Sequence, residues 1–443
     1  MPFRCIVLGA AGRDFHDFQV FFRDRPELQV VAFTAAQIPF IERRAFPREL
    51  AGPHYQADIP IHPEEDLPRL LRELRVDLVF LAYSDLSHEE VMHKASLAQA
   101  AGAGFALLGP RQTQLSSVRP VVAVTAVRTG AGKSPVTLAI ARHLAGRGVR
   151  AAVLRHPMPY GDLLRQAVQR FEAQADLDRE ECTIEEREEY QPYLDAGLPV
   201  FAGVDYRAIL FAAEREAEVV LWDGGNNDYP FVRPDLEVVV LDALRPGHEV
   251  RYYPGETNLR QADVVVVNKV SGASPEGLAT VRANAAALAP GAPLLECDLV
   301  VSVDDPAAVA GRRVLVVEDG PTVTHGGMGF GAGTVAARAC GARELVDPRP
   351  FAEGTIAEVF ARYPHLGPVL PALGYSARQR RELEATIARS GAEVVVDASP
   401  ARLDRVVRVE VPLVRVRYSF QQRSGPPLES LVDAALARWR RPA

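Results

Sequence analysis

The sequence predicts an α/β protein in which a Rossmann-like N-terminal domain, a P-loop nucleotide-binding core with a parallel sheet, and a small α/β C-terminal extension follow one another. Three observations carry this. Short apolar or β-branched runs alternate with helical patterns along the chain, the mark of parallel strands covered by helices. One such strand runs straight into Arg128-Thr129-Gly130-Ala131-Gly132-Lys133-Ser134, the strand, glycine-rich turn and helix context of a phosphate-binding loop. The length of 443 residues exceeds one ordinary core, so two or three domains are expected.

Residues 1–115 form the first unit. Arg4 to Leu8, Leu28 to Phe33 and Asp77 to Ala82 read as strands, with helical patterns at Leu67 to Leu74 and His88 to Ala101. The opening residues read as a strand rather than as the apolar region of a signal peptide. The nucleotide core, 116–345, follows a polar stretch after Gly109-Pro110. Its strands are Val121 to Val127, Ala151 to Leu154, Glu218 to Trp222, Leu236 to Leu241, Asp263 to Val267 and Val314 to Val317. Near-continuous apolar runs of this kind suit strands buried on both faces. Within the core, Asp176 to Glu189 is charged without an apolar face and reads as a solvated helix or a lid. The extension, 346–443, offers helices at Ala377 to Ser390 and Leu428 to Trp439, with strands at Glu393 to Asp397 and Leu413 to Tyr418.

Composition narrows the function classes. A net charge of −7 and a pI near 5.9 provide no basic face for nucleic acid. No run of 18 apolar residues provides a membrane span. Cys5, Cys182, Cys297 and Cys340 lie far apart with no CxxC pair, which fits a reducing cytoplasm better than a disulfide framework. Among 50 Lys plus Arg only Lys94, Lys133 and Lys269 are lysines, and two of these sit in nucleotide motifs. A compact, strongly hydrated ammonium is what such positions need.

In the phosphate loop, small residues let backbone N–H groups turn around phosphate oxygens, and the helix N-terminus adds its positive end. The nucleotide-binding set is Thr129, Gly130, Ala131, Gly132, Lys133 and Ser134, with Lys133 on the β- and γ-phosphates and the Ser134 hydroxyl on Mg²⁺. The usual glycine six residues before the lysine is Val127 here. In this the loop resembles the deviant P-loops of dimeric ATPases and metallochaperones, whose second lysine reaches the partner's nucleotide. Arg128 stands at that position, which would make it catalytic and the protein a homodimer.

Asp223 ends the strand before Gly224-Gly225, where a Walker B carboxylate holds Mg²⁺. Asn268-Lys269 resembles the base-reading Asn-Lys-x-Asp element of GTPases. Ser271 replaces its guanine-reading Asp, so adenine and hence ATP is expected. Arg155, His156 and Tyr160 follow the second strand of the core, where ligands of open α/β sheets bind, and suit an anionic, phosphorylated small substrate. Glu318, Asp319 and His325 lie in the Gly-rich run 317–333 and offer metal binding or proton transfer. The turn Gly9-Ala10-Ala11-Gly12 has two of three dinucleotide glycines and no acidic residue after the second strand, so NAD is not expected.

Gly9 to His16, the P-loop with Arg128, Arg155 to Asp162, and Glu318 through Gly333 together resemble the cyclic 2,3-diphosphoglycerate synthetase family, whose bacterial members are often described as predicted GTPases. That resemblance covers nearly the whole chain. It implies ATP-dependent closure of an intramolecular phosphoanhydride in 2,3-diphosphoglycerate, giving the cyclic product, ADP and phosphate. A nucleotide-switch NTPase or metallochaperone acting on a protein partner, and a kinase for another phosphorylated acid, stand as alternatives.

Overall fold

A computed structural model describes residues 1–10, 12–36, 44–155, 161–324, 326–373 and 376–439. Among these, residues Phe3–Leu8 form the centre of a six-stranded sheet, flanked by Leu28–Ala35 and Leu78–Leu81. Ile59–Pro63 and Gly104–Leu107 extend it in parallel, and Ala45–Phe46 closes one edge in the antiparallel sense. Side chains alternate across a strand. Cys5 and Val7 therefore enter one buried apolar layer while Ile6 and Leu8 enter the other.

The second sheet has thirteen strands among the described residues. Its nucleotide half runs in parallel through Ala151–Leu154, Val219–Trp222, Val121–Ala126, Leu236–Asp242, Val264–Asn268 and Leu294–Val303. Val200–Ala202 joins it in parallel beside Ala151–Leu154, with Gln169–Phe171 antiparallel at the edge. Every residue of Val121–Ala126 is buried, as its unbroken apolar sequence requires. The helix Lys133–Gly146 covers this strand with Val136, Ile140, Ala141 and Leu144, an apolar stripe at helical spacing.

The strand expected in the nucleotide core at Val314 to Val317 belongs elsewhere. Arg313–Glu318 pairs with Val394–Asp397, Glu344–Leu345 and Leu370–Pro371, all from the last hundred residues. A two-stranded ribbon joins this second half to the first. Leu294–Val303 pairs with the parallel nucleotide strands through Leu294 to Glu296, then with Leu413–Ser424 in the antiparallel sense along the rest of its length. Val394–Asp397 runs parallel to Leu413–Ser424. The strands of the second half therefore run opposite to those of the first. The carboxyl ends of both halves face each other over the middle of the ribbon.

Of the segment expected to be a solvated helix or lid, Asp176 to Glu189, the part from Cys182 to Glu188 is buried, while Asp178 and Arg179 stay exposed. The helix Ile184–Asp195 lies between the halves, with Glu185, Glu186, Arg187 and Glu188 all inside. Ile184 packs with Leu315, Val317 and Val395 of the second half, while Tyr190 and Tyr193 pack in the core of the first. Its N-terminus is fixed by a reciprocal cap, in which Thr183 Oγ accepts from the Glu186 N–H and Glu186 from the Thr183 N–H.

Candidate functional site

The phosphate loop lies at the carboxyl end of Val121–Ala126. Gly130 and Gly132 hold φ of +76° and +104°, a region that costs any residue with a Cβ. A side chain at Gly132 would also collide with Asn268 Nδ2. The loop is braced from three sides. Asn268 Nδ2 donates to Ala131 O at 2.7 Å, and Lys269 Nζ donates to Gly130 O at 2.7 Å and to Asp242 at 2.8 Å. Arg245 donates to Thr129 O at 2.6 Å, to Gly326 O at 3.0 Å and to Asp242. Asn268 and Lys269 thus shape the loop from behind, with Lys269 anchored rather than free. Arg245, absent from the expected set, ties the loop to the glycine-rich segment. A lone arginine after a strand carries no sequence signal for that role.

Lys133 opens the helix, and its Nζ donates to Asn227 Oδ1 at 3.0 Å. Burial lowers its ammonium to about 8, opposed by Asp223 and reinforced by Arg155. Asn227 sits at a positive φ of 63° in the loop after Asp223. It also donates to Thr129 Oγ1 at 3.2 Å and to Asp85 of the N-terminal unit at 3.1 Å.

Asp223 is fully buried. Tyr193 of the acidic helix donates its hydroxyl to Oδ2. Oδ1 lies 3.1 Å from Arg155 Nη1 and makes no hydrogen bond. Arg155 in turn meets Glu189 of the same helix. The residue before it, Glu188, accepts from the Ser399 hydroxyl at 2.8 Å and meets the carboxyl of Asp319. Burial, then Asp319 and Glu185, push the Glu188 carboxyl well above the usual range. Burial raises Asp319 too, against the Thr322 hydroxyl that donates to it. Lys133 lies near enough to act on Asp319, and a Cβ on Gly130 would meet Thr322 at 3.2 Å. The second half of the sheet thus lays its 319–322 turn against the phosphate loop.

The structure therefore brings Lys133, Asp223, Arg155 and Asp319 to one cleft and sets the other expected residues apart. Glu318 is a brace: its oxygens accept from the N–H groups of Gly331, Gly333 and Thr334 and from the Thr334 hydroxyl, so they are consumed in starting the helix Ala332–Ala339. Arg128 is turned into its own chain instead of outward to a partner. It is 6% exposed, pairs with Asp85 at 2.8 Å, meets His248 at 3.0 Å and lies over Tyr252. His156, Tyr160 and His325 lie outside the described residues. Besides Arg245, the sequence missed Glu188 and Glu189, because the groups that hold them come from positions 155, 319 and 399.

Beside the loop, Asp298 accepts from the Ser271 N–H at 2.9 Å and hydroxyl at 2.5 Å, and from Arg423 at 2.7 Å. A carboxylate thus stands near the place where guanine-reading sites carry one, but its oxygens are already engaged. In the N-terminal unit, Asp14 caps Gly12 and Phe15, and a Cβ on Gly9 would collide with it. Arg13 is fully buried against Tyr229, Tyr253, Asp17 and Asp228.

No family model matches the chain. It is similar to the arginine synthetase ArcE of Thermococcus kodakarensis, with 54% identity over 430 residues, 97% of this chain and 96% of that protein. It also resembles the tetraacyldisaccharide 4'-kinase of Chromobacterium violaceum at 35% identity, over 44% of this chain and 57% of the kinase. Among solved structures, LpxK of Aquifex aeolicus in complex with ATP aligns with 79% of this chain and 95% of its own, at 12% identity and a TM-score of 0.44. The near full-length match to a synthetase joins the phosphate-loop geometry, and the chain belongs to the cyclic 2,3-diphosphoglycerate synthetase family as a P-loop, ATP-using enzyme of the ligase kind.

Proposed function

We propose that this enzyme makes arginine, as the name of its relative says of that protein, by replacing the oxygen of a ureido amino acid, citrulline, with an amine nitrogen. A ureido oxygen is a poor leaving group. Transfer of the ATP γ-phosphoryl group to it makes phosphate the leaving group, and nitrogen then adds to the carbon. The observation that carries this reading is the run of carboxyls around Lys133: Asp223 held by Tyr193, Glu189 on Arg155, and Asp319 against Glu188. Such a run suits a neutral or cationic acceptor. The closure of 2,3-diphosphoglycerate begins with the same phosphoryl transfer, but it gathers two phosphates and needs unpaired cations. Arg128 and Arg155 are each matched by a carboxylate.

Ser134 and Asp223 fit Mg²⁺, since the buried Asp223 Oδ1 lacks a hydrogen bond. The ion would supply charge neutralisation across the phosphates. Lys133 neutralises the transferring group, Asn227 orients the lysine, and Asn268, Lys269 and Arg245 hold the loop's carbonyls away from the nucleotide.

The test is phosphorus NMR together with amino-acid analysis of the purified protein with ATP, Mg²⁺ and either citrulline plus ammonium or 2,3-diphosphoglycerate. Arginine, ADP and phosphate in equal amounts from the first mixture are expected. Formation of the cyclic phosphoanhydride from the second, with no arginine from the first, would replace this reading by the other.

A further inference from the structure

We infer that Glu188 and Asp319 together bind the incoming amine and take its proton, a role that rests on the synthetase reading above. The two carboxyls come from opposite halves of the sheet and meet beside the phosphate loop. Glu188 is 6% exposed, and Ser399 holds its Oε1 at 2.8 Å. Its Oε2 receives no hydrogen bond from any N–H or hydroxyl donor among the described residues. A buried carboxyl oxygen of this kind is costly without a partner. The Asp319 carboxyl beside it lies within electrostatic reach of Lys133, the lysine that holds the transferring phosphate. Two carboxyls in contact retain one proton between them and leave one negative charge. That arrangement attracts an ammonium ion and can receive a proton from it.

The step balances as follows. The ureido oxygen bonds to the γ-phosphorus and the bond from that phosphorus to the β–γ bridging oxygen breaks, releasing ADP. Ammonium gives one proton to the carboxyl pair and becomes ammonia. The nitrogen lone pair forms the new C–N bond, the C–O bond breaks with its electrons on the departing phosphate, one proton of the added nitrogen passes to that phosphate, and the guanidinium remains.

The experiment measures ADP release and the guanidino product, arginine from ammonium and N-hydroxyarginine from hydroxylamine, for wild type, Glu188→Gln and Asp319→Asn at neutral pH, varying each amine separately. Hydroxylamine is uncharged at neutral pH and needs no base to expose its lone pair. The variants should raise KM for ammonium about tenfold or more and lower kcat, while the rate with hydroxylamine stays within about threefold of wild type. Binding of ATP should stay within about twofold, which excludes a collapsed site. Ser399→Ala keeps both carboxyls and removes only the hydroxyl that aims Glu188, so it should move KM for ammonium in the same direction by a smaller factor. Equal loss with both amines, at unchanged KM for ammonium, overturns the inference and leaves the synthetase reading standing. Wild type that forms no guanidino product with either amine overturns both.

Discussion

Lys133 couples phosphate binding to proton uptake. Its ammonium is held near 8 by burial, against about 10.4 for a free lysine, so raising the pH strips it of charge while a free lysine would remain protonated. Bound phosphates favour the charged form. ATP affinity should therefore fall about tenfold between pH 7 and pH 9, as the protonated fraction falls from roughly nine-tenths to one-tenth. Isothermal titration at the two values checks this, and Lys133→Arg, which keeps its charge, should flatten the dependence. Lys133→Ala should lower kcat by about a hundredfold or more, on the order of 3 kcal/mol of lost transition-state stabilisation. Steady-state ADP release reads it, and activity within twofold of wild type would remove the lysine from the reaction. At the base end, Ser271 and Arg423 engage Asp298, so ATP should outcompete GTP. A tenfold preference for GTP in competition binding would show that Asp298 is released to read guanine.

The helix Ile184–Asp195 is the element on which the cleft depends, and its cap offers a measured way to loosen it. Thr183→Ala removes the side-chain acceptor for the Glu186 N–H and should cost about 1 kcal/mol, read as a lower denaturant midpoint. This helix also marks the limit of what the sequence disclosed. The parallel strands were legible because burial on both faces forces unbroken apolar runs, as in Val121–Ala126 and Val264–Asn268. The phosphate loop was legible because its glycines must take positive φ. The acidic helix was not, since Glu188 and Arg187 are buried by partners distant in sequence or by backbone carbonyls at Leu177 and Cys182, and Glu189 is held by Arg155. Without those partners the pattern is that of a solvated helix. Leu294–Val303 escaped for the opposite reason: residues such as Val300 face outward from the ribbon, and its alternation blurs. Glu318 and Asp319 were singled out side by side, yet adjacent residues of a strand point to opposite faces, and only Asp319 reaches the cleft.

At the scale of the whole molecule, the N-terminal unit is joined to the nucleotide half by charged contacts. Asp85 grips Arg128 and Asn227, while Arg13 enters the loop after Asp223. Removing one partner of a buried pair strands the other charge. In a double-mutant cycle, Asp85→Asn and Arg128→Met should each destabilise by about 3 kcal/mol and together by clearly less than the sum. Additive losses would show that the pair contributes no coupling.

The ribbon of Leu294–Val303 and Leu413–Ser424 has a bearing on how the enzyme comes into being. The phosphate loop is translated early, yet the strand that closes the ribbon emerges from the ribosome only with the last part of the chain. Until then Leu294–Val303 presents an open edge, a template for pairing with another nascent chain. Contacts between Glu188 and Ser399 span 211 residues, and so large a loop must close before the cleft exists, which slows its assembly. The last helix, Leu428–Trp439, also enters the core beneath the phosphate loop, so catalytic competence should appear only at the end of synthesis.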